Sequence, residues 1–121
     1  MFGLLILVAF VTTGASMNLS LRKNADELRM HLMREQPIGS PISAVENWIK
    51  KAGWKYAVSP TAGFLKQEDR KNSVVGVSSI KADLGEYWRF PFLTTSVVAY
   101  WGFGPDGKLI DVWVWKTTDG P

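Results

Sequence analysis

Residues 92–117 read FLTTSVVAYWGFGPDGKLIDVWVWKT, and this stretch decides the fold. Its β-branched and aromatic residues predict two strands, at residues 92–103 and 108–117. Between these strands, residues 105–107 read Pro-Asp-Gly, which is the chemistry of a type I turn closed by a left-handed glycine. The sequence therefore predicts that the chain ends in a β-hairpin.

The two faces of this hairpin differ in chemistry, because successive side chains of a strand point to opposite faces. In the last strand, the aliphatic face carries Ile110, Val112 and Val114. The opposite face carries Asp111, Trp113 and Trp115. The preceding strand alternates in the same way, and Tyr100 lies on one face while Trp101 lies on the other.

The register between the two strands stays open at this level. A four-residue turn would pair Phe103 with Lys108 and bring the aliphatic sets of both strands together. A three-residue turn with a bulge would pair Gly104 with Lys108 and exchange the faces.

In both registers, each face of the hairpin carries large apolar groups. Two helices can cover only one face of a single sheet, so the other face exposes aromatic residues or packs beneath its own neighbours and a loop. Exposed apolar surface commonly marks an interaction site, and tryptophan and tyrosine are frequent interface anchors. We therefore expect a protein-binding face, with a small-ligand groove and a self-packed sheet as alternatives. The residues predicted for it are Trp113, Trp115, Tyr100, Asp111, Trp88 and Arg89.

Two helices are predicted upstream. Residues 18–36 are predicted to form the first helix, because apolar residues recur along one of its sides. Asn18 or Ser20 is predicted to cap its start, and Pro37 to end it. The second helix is predicted to start with Ser40 as its cap and to run to about residue 51, where a glycine can close it. Its apolar face is predicted to comprise Ile42, Val45, Trp48 and Ile49.

The middle of the chain supplies the other strands. Residues 54–58 and 74–84 predict strands, residues 59–73 a polar loop, and residues 85–91 a connection. The loop is long for a small domain, and a short strand is possible around residues 63–65. The predicted fold class is α+β, with two N-terminal helices packed on one face of a four-stranded antiparallel sheet.

Composition excludes several classes of protein. The chain has 121 residues, which predicts one domain, and 46% of them are hydrophobic, which excludes a disordered tail. The absence of cysteine excludes a disulfide scaffold, a thiolate zinc site and a lipid-modified cysteine. A net charge of +3, from interspersed basic and acidic residues, does not indicate nucleic-acid binding.

The N-terminus predicts export. Residues 2–11 are apolar and are followed by small residues, a pattern typical of a secretory signal and shorter than the roughly 20 residues of a membrane span. No basic residue precedes Arg22, so the alternatives are an upstream start, an uncleaved anchor, or a buried element of a cytoplasmic domain. We expect residues 1–16 to be a signal peptide or short membrane anchor and residues 17–121 to be the domain. The expected location is periplasmic or secreted, or at the inner membrane if residues 2–16 stay attached.

Catalysis is not predicted. His31 precedes Glu35 by one helical turn, a spacing more typical of a solvated helix pair than of a catalytic one. Asp83, Glu86 and Asp111 are carboxylates, but no spacing singles out an acid–base pair. The sequence contains neither a phosphate-binding nor a dinucleotide-binding motif, so we expect no cofactor and no metal.

The order of motifs resembles a known family. The chain resembles small exported bacterial proteins with the β-lactamase-inhibitor-protein-like fold, a group that includes the SmpA/OmlA lipoproteins. The features that it shares with them are a helix, the motif Pro37-Ile38-Gly39-Ser40, a second helix and a closing Asp-Gly-Lys-Leu hairpin. The resemblance covers residues 37–116 and implies two helices on a four-stranded sheet. It also implies that the aromatic sheet face docks a protein partner, here through Trp113 and Trp115. The chain departs from the lipoproteins in lacking the lipidated cysteine, and from the inhibitors in having a single unit.

The predicted function is therefore that of an exported, non-enzymatic protein-binding module, such as an inhibitor or immunity protein. The alternative is an envelope structural or accessory protein that associates with itself through the same face.

Overall fold

The structure, a computed structural model, describes residues 20–68 and 71–119. This part of the chain contains two helices, α1 (Ala25–Glu35) and α2 (Ile42–Ala52). Its strands are β1 (Lys55–Ser59), β2 (Phe64–Glu68), β3 (Lys71–Val75), β4 (Ser78–Arg89), β5 (Leu93–Phe103) and β6 (Leu109–Asp119). The predicted signal peptide or anchor, residues 1–16, lies outside the described residues.

The strands form an antiparallel sheet of four strands in the order β1-β4-β5-β6, and β2 and β3 pair separately as a hairpin. The predicted α+β class and the four-stranded antiparallel sheet are confirmed. The short strand considered around residues 63–65 is present as β2, whereas its pairing with β3 in a separate hairpin was not predicted.

Helix α1 begins later than predicted, because Asn24 and not Ser20 caps it. The Asn24 side chain accepts a hydrogen bond of 2.8 Å from the Glu27 N–H and donates one of 2.7 Å to the Glu27 carboxylate. Residues 21–23 form a turn, and the Lys116 ammonium donates to the carbonyls of Leu21 and Lys23. The prediction of a cap at Asn18 or Ser20 is therefore wrong, and Asn18 itself lies outside the described residues.

Helix α2 also lacks the predicted cap. The Ser40 hydroxyl donates a hydrogen bond of 2.6 Å to the Pro37 carbonyl, and Pro41 occupies the cap position without a side-chain bond. The Ile42 N–H instead donates to the Gly107 carbonyl at 3.0 Å, which ties the start of the helix to the β5–β6 turn. Gly53 closes the helix in the left-handed conformation, as predicted, with φ 79°.

Three predicted boundaries in the middle of the chain are wrong. The predicted loop of residues 59–73 contains most of the β2–β3 hairpin, and the predicted connection of residues 85–91 is largely the end of β4. The predicted strand of residues 74–84 is divided between β3 and β4 by a break at residues 76–77, where Gly76 has a φ of 82°. Strand β4 continues because a bulge at Gly85, with φ 118°, shifts its register against β5. The bulge lets Tyr87 follow Leu84 on the core side.

The final hairpin combines both of the registers that the sequence left open. Gly104 pairs with Lys108 through a 2.9 Å hydrogen bond, which encloses a turn of three residues. The register then shifts between Leu109 and Asp111, so that Trp101 pairs with Val112. The aliphatic faces of the two strands therefore still coincide. The predicted grouping of Ile110 with Val112 is wrong, because the register shift leaves Ile110 47% exposed.

One hydrophobic cluster joins helices and sheet. The helices contribute Leu28, Leu32, Val45, Trp48 and Ile49. The sheet contributes Ile80, Ala82, Leu84, Val97, Ala99, Trp101, Phe103, Leu109, Val112 and Val114. On β5, these are alternate residues, so the side chains between them belong to the opposite face, here called the open face.

Candidate functional site

An aromatic cleft lies on the open face. Register places Tyr100 beside Trp113 and Val98 beside Trp115 across β5 and β6. The cleft has a volume of about 260 Å³, and its walls are Leu65, Tyr100, Trp113 and Trp115. The structure therefore brings together three of the six predicted site residues and adds Leu65 from β2.

The β2–β3 hairpin covers one end of the open face. The Phe64 ring stacks on the Tyr100 ring with centroids 5.6 Å apart, and Phe64 is buried. The Lys66 ammonium lies 4.7 Å from the centroid of the Trp113 ring, a cation–π contact. Part of the face that the sequence left unassigned is thus covered by the chain's own hairpin, and Trp115 stays 42% exposed.

Glycine permits this close packing. A Cβ atom at Gly102 would lie 2.9 Å from Phe64 Cε2 and 2.8 Å from Val75 Cγ1. A Cβ at Gly63 would lie 2.1 Å from the Val75 carbonyl oxygen. Glycine at position 102 lets the hairpin pack closely on the sheet, and glycine at position 63 lets the two ends of the hairpin approach each other.

Asp111 belongs to the predicted row, but its carboxylate is engaged within the protein. Arg29 Nη2 lies 2.7 Å from Asp111 Oδ1, and Lys66 Nζ lies 3.3 Å from Oδ2. Burial raises the pKa of Asp111, but hydrogen bonds from Arg29, the Val112 N–H and Lys66 outweigh burial and hold the pKa below its usual value. Asp111 therefore joins α1 to the hairpin at the edge of the sheet.

One wall residue of the cleft carries an unpaired donor. The indole N–H of Trp113 is buried and has no hydrogen-bond acceptor among the described residues. An unpaired buried donor is unfavourable, but this nitrogen is closed to solvent, so a ligand in the cleft would reach it only after the ring moves. The cleft thus offers apolar walls and a cation at its edge.

Trp88 and Arg89 lie elsewhere, at the end of β4. Trp88 pairs with Thr94, whereas Trp115 pairs with Val98 on the same strand. Four residues of extended strand separate the two rows by roughly 13 Å. The structure therefore places Trp88 and Arg89 outside the cleft, and their role in protein binding stays a prediction.

Leu65 and Lys66 were not predicted as site residues, because residues 59–73 were interpreted as a polar loop with at most a short strand. The available signal was the pair of adjacent apolar residues Phe64-Leu65, which lies opposite Val74-Val75. A two-stranded hairpin that buries few side chains gives only a weak pattern of this kind.

The remaining titratable groups do not assemble a reactive centre in the described part. His31 Nε2 lies 3.8 Å from Glu35 Oε1 on helix α1, away from the cleft residues. Within residues 20–68 and 71–119, no group of three His, Asp or Glu side chains is placed to hold a metal ion. Neither helix described is long and apolar enough to cross a membrane.

Comparison of the chain with protein-family models, with curated proteins and with solved structures finds no match in any of the three.

Proposed function

We propose that this chain is an exported protein-binding module that docks its partner in the aromatic cleft of the open face and catalyses no reaction. The observation that carries the proposal is the cleft itself, whose walls are Leu65, Tyr100, Trp113 and Trp115. Large aromatic side chains around a concave surface are the usual anchors of protein interfaces.

The proposal includes the layer arrangement of the domain. Both helices cover one sheet face, and the cleft occupies the other. The shared hydrophobic cluster of helices and sheet supports the first part, and the stacking of Phe64 on Tyr100 supports the second. The resemblance to exported proteins with the β-lactamase-inhibitor-protein-like fold implies the same arrangement. An inhibitor or immunity role is a narrower form of the proposed protein-binding function.

The chemistry of the cleft indicates the kind of segment that fits. Its apolar walls suit one aliphatic or aromatic side chain of the partner. Lys81 is exposed, and its ammonium lies 6.0 Å from the Tyr100 ring centroid, beside the cleft. A partner carboxylate next to the inserted side chain would meet this cation, which favours an acidic protein surface.

Site-specific photo-crosslinking in the native host tests the proposal. A photoreactive residue replaces Trp115, which is 42% exposed, and in a matched control it replaces Ile110, which is 47% exposed and borders no part of the cleft wall. We expect position 115 to yield one adduct with a second protein and position 110 to yield none.

A further substitution makes the result specific. Leu65→Asp places a charge in the cleft wall at a side chain that is 52% exposed, so the fold should tolerate it. The adduct at position 115 is expected to disappear in this background. The same adducts from positions 115 and 110 would contradict the proposal, and an adduct between two copies of this chain would favour the self-associating alternative.

A further inference from the structure

The turn between β4 and β5 exposes an unusual amount of aromatic surface. Trp88 is 58% exposed, Phe90 84% and Phe92 70%, and Arg89 and Pro91 between them are exposed as well. Trp88 and Phe90 contact each other edge to face, with centroids 6.3 Å apart. Residues 88–92, here called the aromatic tip, thus form a convex apolar surface distinct from the cleft.

The described chain begins next to this tip. The Arg22 guanidinium donates a hydrogen bond of 2.8 Å to the Trp88 carbonyl, and it lies 4.9 Å from the Tyr87 ring centroid. A Cβ at Gly85 would lie 3.3 Å from Leu21 Cδ1, so Leu21 also packs against β4. Leu21 and Arg22, close to the N-terminal end of the described residues, therefore lie at the end of the sheet that carries the aromatic tip.

Charge around the tip is mixed. Arg22, Lys23 and Arg89 are exposed, and so are the acidic Glu86 and Asp119. Arg22 is bonded to the Trp88 carbonyl, while Asp119 lies in the same cross-strand row as Trp88. Tryptophan is enriched at the headgroup level of bilayers, phenylalanine favours the acyl boundary, and basic side chains attract anionic lipids. The composition of the tip matches this interfacial pattern.

We infer that the aromatic tip inserts into the headgroup region of a lipid bilayer. A single weak anchor, such as one acyl chain, binds a membrane only marginally, and stable attachment takes two signals. With the apolar sequence of residues 2–11 as one such signal, the tip supplies a second.

Shape favours a bilayer over a second copy of the chain. A stable protein interface buries about 800 Å² on each partner with matched shapes. A convex turn of five residues offers little area for such matching, whereas a fluid bilayer adapts to any protruding apolar group. The inference is independent of the cleft, because the two surfaces use different residues.

Vesicle co-sedimentation of the full chain tests this assignment. The variant Phe90→Ser/Phe92→Ser removes two exposed rings from the tip. The control Ile38→Ser/Val77→Ser removes two apolar side chains that are 55% and 51% exposed. The Val77 N–H donates to the Phe103 carbonyl, and Gly39, next to Ile38, donates to the Leu109 carbonyl, so both control positions lie at the other end of β5.

With vesicles of phosphatidylcholine and phosphatidylglycerol at about 3:1, the tip variant is expected to bind roughly tenfold more weakly than the wild type. The control is expected to bind within about twofold of the wild type. Equal binding by both variants would overturn the inference, as would a lipid-free dimer of the wild type that the tip variant abolishes.

Fluorescence locates the contact independently of affinity. Brominated lipids quench tryptophans that enter the bilayer, so the wild type should be quenched on binding. Trp88→Phe should lose most of this quenching, whereas Trp115→Phe should retain it. Retained quenching in Trp88→Phe would place another tryptophan in the bilayer and overturn the assignment of the tip.

Discussion

The Asp111 carboxylate accepts a 2.7 Å hydrogen bond from the Arg29 guanidinium and thereby fastens helix α1 to the edge strand β6. Arg29 Nε donates a second bond of 2.6 Å to the Val112 carbonyl, which occupies an acceptor that an edge strand would otherwise expose. The other carboxylate oxygen of Asp111 accepts a hydrogen bond from the ammonium of Lys66, which belongs to the β2–β3 hairpin. One carboxylate thus links the helix, the sheet edge and the wall of the cleft.

Replacing this carboxylate should reduce stability in a pH-dependent way. The pKa of Asp111 is lower in the folded protein than in the unfolded chain, so its contribution is present above the unfolded pKa of about 3.9 and is lost as pH falls through the folded pKa. We expect Asp111→Asn to lower the free energy of unfolding by about 1–3 kcal/mol at pH 7 and by progressively less below pH 4.

Urea denaturation at several pH values measures this difference. Asp83→Asn is the control, because Asp83 is exposed and an amide oxygen can still accept the hydrogen bond from the Gly85 N–H. A loss in Asp111→Asn that is the same at pH 7 and at pH 2.5 would contradict the ion-pair account.

Gly102 tests whether the hairpin packs as closely as described. Gly102→Ala would force Val75 and Phe64 outward, since the new methyl group would lie within 2.9 Å of both side chains. Overpacking of this kind costs about 1–3 kcal/mol, and the displaced hairpin should expose Trp113 to solvent and shift its fluorescence.

The matched control is Gly104→Ala, whose methyl group would lie 3.2 Å from the Asp106 carboxylate, an exposed side chain that can move, and at ordinary contact distances from Ile110 Cγ2 and the Lys108 carbonyl oxygen. This variant should unfold close to the wild type. If Gly102→Ala is equally mild and leaves the fluorescence unchanged, the hairpin does not rest on the sheet at this position.

The sequence predicted the two helices and the closing hairpin because their patterns are long and strongly periodic. The start of α1 was predicted too early, since the cap is Asn24, and the turn before it is bonded to Lys116, far along the chain. The bulge at Gly85 likewise needs the β5 register to be recognised. Local patterns do not contain such long-range information.

The candidate site was predicted in part for the same reason. Alternation along β6 placed Trp113 and Trp115 on one face, and the register added Tyr100. The wall formed by Leu65 depends on a hairpin that folds back over the sheet, which strand periodicity does not reveal. The engagement of Asp111 with Arg29 links positions 82 residues apart, so a row of neighbouring side chains could not indicate it.

Export is testable without knowledge of the partner. The apolar residues 2–11 followed by small residues predict that the full-length chain, expressed in a bacterium, leaves the cytoplasm. Cell fractionation followed by mass spectrometry should find a mature N-terminus near residue 16 or 17, or an intact chain in the membrane fraction. Full-length protein confined to the cytosol would contradict the prediction.

The stability of two neighbouring variants tests most directly whether the aromatic cleft is surface or core. Val114 is 4% exposed in the hydrophobic cluster, and Trp115 is 42% exposed on the open face. We predict that Trp115→Ala lowers the free energy of unfolding by less than about 1.5 kcal/mol and that Val114→Ala lowers it by at least as much, although it removes fewer atoms. If Trp115→Ala instead costs the roughly 3–5 kcal/mol of a core tryptophan while Val114→Ala is mild, Trp115 belongs to the core and the proposed docking surface does not exist.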